Sequence, residues 1–393
     1  MQLLSLFAFS IAVTVAAPVP PTFISASSPL VLWAGRPSIE SDGSVSFDWL
    51  DTSASFVVAG IGASVTLLTN FTLPSWGAGF HAARVSVLVN DMMAADLMLS
   101  PSTHSYLLTA ALPNALNTVT VHYSFEVDYS FADRASNETF SIFGFEAGDG
   151  GSFSSPTPLS RRIDVIGDSI TGGAMYDRLE SVNGDLSFNT GCNPWSPPQG
   201  MSSAYTWQSY LSRALRSNTT TVAWSGKGLI YNSGCRAGPT MPQLWPQAFA
   251  SATGVPVPVE LWDFSRASRP DAVIVFLGTN DFSCNLTTMA AFSDALLSFW
   301  VNITKDYADS ISGPARTTFF AAIGPMSPTA PLPAVHDAIA RAASMNITAA
   351  LLDMSGNVTV PVARDGCGGH PGPFGHWTMA TLAVPQIKAV MGW

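Results

Sequence analysis

A serine directly after a short apolar run is the first residue of this chain that is placed to act as a nucleophile. Residues 163–166 predict a buried strand, and Gly167, Asp168 and Ser169 follow it, with further glycines at 172 and 173. Such a strand-to-turn junction exposes the serine Oγ at a strand end and leaves the serine N–H able to donate, as a nucleophile requires. The alternative is a Gly-Asp-Ser turn that only reverses the chain.

Two further loops carry hydrogen-bond donors directly after predicted strands. Gly226 follows a strand at 221–224, and because glycine has no side chain its N–H can approach a substrate oxygen closely. Asn280 follows the apolar run 272–277, and its amide can point at the same position. With the Ser169 N–H, these groups form a candidate oxyanion hole. The alternatives are an ordinary strand exit at Gly226 and an Asn/Asp turn at Asn280.

A glycine-rich loop near the C-terminus carries the candidate general base. Residues 365–376 read DGCGGHPGPFGH, and a loop histidine before a proline, as His370 is, can present its ring to Ser169 Oγ. Asp365 is the candidate orienting carboxylate. Its alternative role is to cap the loop through nearby backbone N–H groups, which leaves a Ser–His dyad. The remaining histidines besides His376 are His81, His104 and His122 in the strand-rich half, and His336 at the start of a predicted surface helix.

The elements that must position these residues alternate between strand and helix. Strands are predicted at 163–166, 221–224, 272–277, 317–323 and 349–353, and helices at 205–216, 288–307, 334–345 and 378–391. This alternation predicts a parallel sheet covered on both faces over residues 161–393. Active sites in such sheets lie at the carboxyl ends of the strands, where the candidate residues fall.

The first half of the chain has a different period. Residues 44–49, 83–89 and 118–123 alternate between apolar and polar types, and further short strands are predicted at 56–58, 64–68, 106–109 and 140–145. Many short strands separated by turn residues predict an antiparallel sandwich or jelly roll over 23–150. The Gly-, Ser- and Pro-rich stretch that follows predicts a linker at 151–160.

Length and composition set the broad class. A chain of 393 residues with 47% hydrophobic and 11% charged residues predicts two domains with sizeable cores. The 17 basic and 27 acidic residues give a net charge of −10, which argues against nucleic acid or an anionic membrane surface as a partner.

The N-terminal residues predict export. Residues 3–17 form an apolar run that ends in small residues and is too short for a permanent membrane anchor, so residues 1–17 are predicted to be a signal peptide. Seven Asn-X-Ser/Thr sequons support a secreted, extracellular glycoprotein. The glycosylation candidates are Asn70, Asn137, Asn218, Asn285, Asn302, Asn346 and Asn357.

The cysteine count indicates disulfides rather than a metal site. The four cysteines are Cys192, Cys235, Cys284 and Cys367, and an even number in an exported protein favours two disulfides. Of the three possible pairings, Cys192–Cys235 with Cys284–Cys367 is expected, because the last two cysteines flank the proposed catalytic loops. No CxxC pair or HExxH segment occurs, so neither a metal nor a cofactor is expected.

Together the four polar segments resemble the blocks of GDSL/SGNH hydrolases, with Ser169, Gly226, Asn280 and His370 at the positions that name the family. The all-β first half and the segments WSGKGL, GTND and Gly-Cys beside His-Pro resemble carbohydrate esterase family two. One departure concerns the base: many SGNH hydrolases carry Asp three residues before the catalytic His, and Cys367 stands there in this chain.

The resemblance implies a three-layer α/β hydrolase domain with a flavodoxin-like parallel sheet, preceded by a jelly-roll sandwich. It also implies a serine esterase that removes O-acetyl groups from plant cell-wall polysaccharide of the acetylxylan or glucomannan type. The alternatives are a general carboxylesterase or lipase on the same fold, and a non-catalytic glycan-binding protein. Exposed tryptophans could stack on sugar rings, and the candidates are Trp195, Trp207, Trp262 and Trp377.

Overall fold

The alternating residues of the first half form the strands of two antiparallel sheets, and the alternating elements of the second half form one parallel sheet. The computed structural model describes residues 21–71, 83–100, 102–124, 140–174, 179–182, 185–188, 202–250, 260–326, 329–356, 362, 366 and 369–393. The predicted fold class, an all-β domain followed by an α/β domain, is confirmed. The predicted signal peptide at 1–17 lies outside the described residues.

The sandwich contains twelve short strands in the described ranges. They are β1 Phe23–Ser25, β2 Leu32–Ala34, β3 Ser38–Ile39, β4 Val45–Phe47, β5 Ser53–Ala59, β6 Val65–Phe71, β7 Ala83–Val89, β8 Met92–Leu99, β9 Ser105–Thr109, β10 Leu116–Tyr123, β11 Phe140–Ala147 and β12 Ser152–Ser154. One sheet has the order β3-β4-β11-β6-β9 with β1 beside β11, and the other has the order β12-β5-β10-β7-β8 with β2 beside β5.

The pattern of β10 shows why the two sheets pack. Val119, Val121 and Tyr123 are buried in the core between the sheets, while the residues between them face outward. A strand that alternates in this way buries one face only, so a second sheet must cover it. Phe47, Phe140 and Tyr123 form a cluster of contacting rings in that core.

The predicted linker is shorter than expected. β12, Ser152–Ser154, falls inside residues 151–160 and pairs with β5, so these residues extend the sandwich. Pairing with β5 gives hydrogen-bond partners to backbone groups of the edge strand β12. Only residues 155–160 remain without regular structure before the next domain.

The second half contains the remaining elements. They are β13 Arg161–Gly167, α1 Ser169–Gly172, β14 Leu179–Val182, β15 Asp185–Phe188, α2 Trp207–Leu215, β16 Ser217–Ala223, α3 Met241–Leu244, β17 Ala272–Phe276, α4 Thr279–Ser283, α5 Met289–Asp306, β18 Thr318–Ile323, α6 Leu332–Ala342, β19 Thr348–Asp353 and α7 Pro373–Met391. β14 and β15 form a separate hairpin.

The parallel sheet has the order β16-β13-β17-β18-β19. Counted along the chain this is the doubly wound order 2-1-3-4-5, in which the chain changes direction between β13 and β17. One hydrophobic cluster packs α5 and α6 on one face, and a second packs α2 and α7 on the other. The three-layer arrangement expected from the resemblance is therefore present.

Helix α7 begins earlier than the predicted start at 378. Gly372 is its N-cap and Pro373 its first residue, and proline is well tolerated there because the first-turn N–H has no partner within the helix. No helix of the described part of the chain combines the length and apolarity that a bilayer span needs.

Buried polar contacts join the two halves. Asp51, after β4, accepts hydrogen bonds from His122 Nδ1 at 3.0 Å, Thr221 Oγ1 at 2.9 Å and Ser209 Oγ at 3.2 Å. Ser209 and Thr221 belong to the α/β domain, so this one carboxylate links β10 to α2 and β16. Arg36 provides a second link, because its buried guanidinium donates to Gln247 O at 2.6 Å.

One glycosylation candidate lies at the interface between the two halves. Asn218 is only 9% exposed, and its Nδ2, the atom that would carry the glycan, donates to Trp33 O at 3.2 Å across the domain interface. A glycan on this atom would therefore have to be accommodated at the domain interface, although the sequon is intact. Among the other candidates Asn70, Asn285, Asn302 and Asn346 are exposed, and Asn137 and Asn357 lie outside the described residues.

Candidate active site

The carboxyl ends of three neighbouring strands are level with one another. In the parallel register Gly167 of β13 pairs with Ala223 of β16 and with Phe276 of β17. Ser169, Gly226 and Asn280 each follow one of these ends by a few residues. The strand order therefore brings together three residues that are far apart in sequence.

Ser169 is the first residue of α1, the short helix directly after β13. Asp168 is the N-cap of this helix, and its Oδ1 accepts from Ile170 N at 3.0 Å. Gly167 is required at the bend, because a Cβ there would lie 2.1 Å from Thr171 Oγ1. The turn leaves Ser169 partly exposed between buried neighbours, at the N-terminal end of α1.

Gly226 lies at the bend of a tight turn after β16. Lys227 N donates to Trp224 O at 3.2 Å, and Gly226 adopts a φ of 76°, a conformation that favours glycine. Among the described residues, neither Gly226 N–H nor Ser169 N–H donates a hydrogen bond. Both donors are therefore available to a substrate oxygen at this edge of the sheet.

Asn280 lies in α4 and is buried beside the nucleophile's turn. Its Nδ2 donates to Lys227 O at 2.7 Å and to Asp168 Oδ2 at 3.2 Å. These two acceptors fix which end of the amide faces the turn. They also engage both amide hydrogens, so donation to an oxyanion requires Asn280 to share or release one of these bonds.

Asp281 holds the loop after Gly226, a role that the sequence did not reveal. Its buried carboxylate accepts from the N–H groups of Leu229, Ile230 and Tyr231 at 3.0, 2.6 and 3.0 Å. Gly228 permits this approach, since a Cβ there would lie 2.7 Å from Asp281 Oδ2. The available signal was the acidic residue that follows Asn280 in the Gly-Thr-Asn-Asp segment.

His370 brings the C-terminal loop to the nucleophile. Its Nε2 lies 2.9 Å from Ser169 Oγ, a hydrogen-bond distance between two residues separated by 201 positions. The carbonyl of His370 accepts from Gly366 N at 2.9 Å, which closes the loop in front of α7. The imidazole is thus in reach of the proton that a general base must remove. Asp365, the candidate orienting residue, lies outside the described residues.

His376 lies behind the site, and its place in the sequence did not predict a role for it. It is fully buried in α7, and its Nδ1 accepts from Trp207 N at 3.2 Å, which ties α7 to the first turn of α2. Burial, with a smaller contribution from His370, lowers the pKa of His376 to about 3, so the ring is neutral near pH 7.

Burial also acts on the acid beside the nucleophile. It raises the pKa of Asp168 to about 7, and the nearby Asp281 raises it further, while the hydrogen bond from Ile170 N lowers it. Burial likewise raises the pKa of Asp281, against the three N–H groups that it accepts from.

The expected disulfide pairing is wrong. Cys235 is bonded to Cys284, with Cα atoms 5.1 Å apart. Cys284 caps the C-terminus of α4, so the bond fastens the helix that carries Asn280 to the loop that carries Gly226. The pairing could not be predicted from sequence separation. The two cysteines come together because β16 and β17 lie on either side of β13. Cys192 and Cys367 lie outside the described residues.

The aromatic candidates divide by burial. Trp207 is fully buried against Phe276, so it is a core residue and cannot stack on a sugar. Trp262 is half-buried near the Arg36 guanidinium, and Trp377 is exposed. Trp195 lies outside the described residues. Within the described ranges, no three His, Cys, Asp or Glu side chains come together as a metal site.

Known proteins show similarity to both halves of the chain. The family model of the GDSL-like lipase/acylhydrolases matches residues 163–356. Cellulase/esterase CelE of Acetivibrio thermocellus is 28% identical over 261 residues, which cover 64% of this chain but only 28% of that relative. The acetylxylan esterase/glucomannan deacetylase of Cellvibrio japonicus is 23% identical over 278 residues, with 70% of this chain and 68% of the relative covered.

A solved structure extends the likeness over the sandwich. A family two carbohydrate esterase from Clostridium thermocellum, in complex with cellohexaose, superposes with a TM-score of 0.71 at 22% identity. The superposition covers 92% of this chain and 99% of the other. At that identity the likeness establishes the fold. Residues 163–356 are thus similar to the GDSL-like lipase/acylhydrolases, and the two-domain fold of the chain is similar to that of the solved family two carbohydrate esterase.

Proposed function

We propose that this protein is a carboxylic ester hydrolase that removes O-acetyl groups from polysaccharide through an acetyl-serine intermediate. The observation that carries the proposal is the 2.9 Å contact between Ser169 Oγ and His370 Nε2. That pair lies at the strand ends where the Gly226 N–H and the Asn280 amide also gather. A nucleophile, a base and nearby donors are the groups that acyl transfer requires.

In the acylation step Ser169 Oγ attacks the acetyl carbonyl carbon while its proton passes to His370 Nε2. The carbonyl oxygen gains negative charge, and the donors around it are the N–H groups of Ser169 and Gly226 and the amide of Asn280. When the intermediate collapses, the bond to the sugar oxygen breaks and His370 returns the proton to that oxygen. The acetyl group is left on Ser169.

Deacylation repeats these roles with water as the nucleophile. His370 takes a proton from the water as its oxygen attacks the acetyl carbon, and then returns the proton to Ser169 Oγ as acetate leaves. Atoms balance over the two steps: the ester and water are converted to a sugar hydroxyl and acetic acid. The chemistry proposed for these residues needs no metal or organic cofactor.

Asp365 is the proposed orienting carboxylate of His370, and a Ser169–His370 dyad is the alternative. Asp365→Asn separates the two. A triad predicts a loss of kcat of roughly 10⁴, as replacement of the carboxylate in a serine protease produces. A dyad predicts a kcat within a few fold of wild type.

The substrate class is taken from the relatives, whose names include an acetylxylan esterase/glucomannan deacetylase. We propose acetylated plant cell-wall polysaccharide of this type as the substrate. We also propose that residues 1–17 direct export, that the protein acts outside the cell as a glycoprotein, and that neither nucleic acid nor an anionic membrane surface is a partner. N-terminal sequencing of the secreted protein tests the export proposal, since removal of the leader would give a new N-terminus near residue 18.

The decisive experiment measures acetate release from acetylated xylan and from 4-nitrophenyl acetate. Wild type should release acetate from both, and Ser169→Ala should lose several orders of magnitude in kcat while its thermal unfolding remains unchanged. A folded wild type that is inert on both substrates would overturn the esterase. Hydrolysis of long-chain 4-nitrophenyl esters in preference to the acetate would instead favour a general carboxylesterase or lipase.

A further inference from the structure

Two large aromatic side chains stack on each other at the surface, at the start of α7. Phe374 is 57% exposed and Trp377 is 50% exposed. Their ring centroids are 5.8 Å apart and their planes differ by 29°, so the rings are nearly parallel. Among the described residues this is the one contacting ring pair in which both members are exposed.

The pair belongs to the helix face that the fold leaves in solvent. Gly375, His376 and Met379 lie on the buried face of α7, which packs against the parallel sheet and α2. Phe374 and Trp377 are three residues apart and therefore share the opposite face. Neither belongs to the hydrophobic clusters of the domain. Packing of the core does not explain why both positions are aromatic.

Both rings are close to the catalytic pair. His370 touches Ser169 Oγ, and Phe374 is four residues further along the chain, which limits its Cα to within about 14 Å of the His370 Cα. Trp377 lies less than one helical turn beyond Phe374. α7 thus begins near the strand ends where Ser169, Gly226 and Asn280 lie, and the two rings belong to its first turns.

The helix that carries the pair adds no charged residue beside it. The solvent face of α7 continues with Thr381 and Pro385, and no charged residue occurs in the helix before Lys388. Thr381 Oγ1 is turned toward the backbone, where it donates to Trp377 O at 2.9 Å. A contiguous exposed apolar patch of this kind marks a binding surface, and one without charge suits a neutral ligand.

We propose that Phe374 and Trp377 form a platform on which the neutral pyranose backbone of the acetylated polysaccharide stacks, beside the sugar whose acetyl group enters the catalytic site. One face of a pyranose ring presents C–H groups, and such a face packs on flat aromatic rings without burying a polar group. The two rings stack on each other, so the pair offers the outer face of a ring to one sugar of the chain. This inference rests on the esterase proposed above and adds the reason why a polymer would be preferred to a small ester.

The test compares a polymeric and a small substrate. Phe374→Ala, Trp377→Ala and the double variant are assayed for acetate release from acetylated xylan and for hydrolysis of 4-nitrophenyl acetate. We expect the double variant to raise KM for the polymer roughly tenfold or more, with kcat/KM for 4-nitrophenyl acetate within twofold of wild type. Trp377→Phe keeps a flat ring and should retain most of the affinity for the polymer.

Phe143→Ala is the matched control. Phe143 is 42% exposed in β11, which belongs to the sandwich sheet that does not contain β5 and β10. Its replacement by Ala removes an exposed phenylalanine ring from the sandwich instead of from α7. It should leave both activities unchanged. A KM for the polymer that is unaffected in the Phe374/Trp377 double variant would overturn the platform. So would an equal loss in the Phe143 variant.

Failure of the platform and failure of the esterase give different results. If wild type hydrolyses neither substrate, the proposed function itself is wrong. If wild type hydrolyses both and the double variant matches it, only the platform is wrong. Concentration-dependent dimerisation that is lost in the double variant while polymer kinetics are unchanged would assign the patch to a second copy of this chain, and would also overturn the platform.

Discussion

Asn280 Nδ2 lies 3.2 Å from Asp168 Oδ2, so the residue before the nucleophile holds the side chain proposed to stabilise the oxyanion. The other oxygen of Asp168 caps α1 through Ile170 N. One buried carboxylate therefore sets both the turn that exposes Ser169 and the orientation of the Asn280 amide. The position of the Asn280 amide is therefore fixed before a substrate binds, and donation to the oxyanion requires its contact with Asp168 or with Lys227 O to be shared or released.

Replacement of Asn280 tests this arrangement. We expect Asn280→Ala to lower kcat by about 10²–10³, the usual loss for one oxyanion donor, with a smaller change in KM. Asn280→Asp should be at least as damaging, because it places a second acid against Asp168 and the Lys227 carbonyl. Steady-state kinetics with 4-nitrophenyl acetate measure both variants. A kcat within twofold of wild type in folded Asn280→Ala would remove Asn280 from the oxyanion hole.

Because His376 is buried, we predict that the free energy of unfolding depends on pH. Its pKa is lowered to about 3 in the folded protein, against an ordinary value of 6.5, so the unfolded chain binds more protons between these two values. The stability that the buried neutral ring contributes is therefore complete above pH 6.5 and is lost as the pH falls toward 3. His376→Asn keeps an acceptor for Trp207 N but does not titrate.

Thermal unfolding at neutral pH and at about pH 5 measures the effect. Acidification should lower the Tm of wild type by several degrees more than that of His376→Asn, because only wild type loses the contribution of the ring. Buried acids such as Asp168 act in both proteins, so their contribution cancels in the comparison. His336→Asn, at an exposed position in α6, is the control and should follow wild type. Equal slopes for all three proteins would contradict the prediction.

The disulfide between Cys235 and Cys284 closes a loop of 49 residues. In the chain-entropy model a loop of this length contributes roughly 4 kcal/mol to the free energy of unfolding. Cys235→Ala with Cys284→Ala should lower that free energy by an amount of this order, as measured by urea unfolding. Peptide mapping of the non-reduced protein should recover Cys235 linked to Cys284. A peptide that links Cys192 to Cys235 would show that the pairing is wrong.

We predict that the contacts of Asp51 make the two halves of the chain unfold together. Asp51→Ala leaves His122, Ser209 and Thr221 without their shared buried acceptor, and we expect a loss of about 3 kcal/mol in the free energy of unfolding. Asp96→Ala is the control, since it breaks a surface ion pair with Arg84 and should cost at most about 1 kcal/mol. A loss in Asp51→Ala no larger than in the control would show that this interface contributes little.

Much of the fold was predictable because periodicity reports burial directly. The apolar run 272–277 became β17, the central strand, and the alternation at 83–89 became β7. Prediction was weaker where glycine and proline interrupt a pattern. α7 begins at Pro373 rather than at 378, and β12 was taken for linker, because a short edge strand has no pattern of its own.

The sequence by itself determined the chemistry that this protein has available: a serine, a glycine, an asparagine and a histidine, each at a strand end or in a loop. Those properties are local, since a strand, its exit turn and the residue type at the turn are adjacent in the chain. Only the tertiary structure decided which of them meet. The 2-1-3-4-5 strand order places Gly226 and Asn280 on either side of Ser169, and α7 brings His370 Nε2 to 2.9 Å from the nucleophile. The same long-range packing paired Cys235 with Cys284, buried Trp207 and Asn218, and left Phe374 and Trp377 in solvent, because burial and contact depend on segments that the local sequence does not contain.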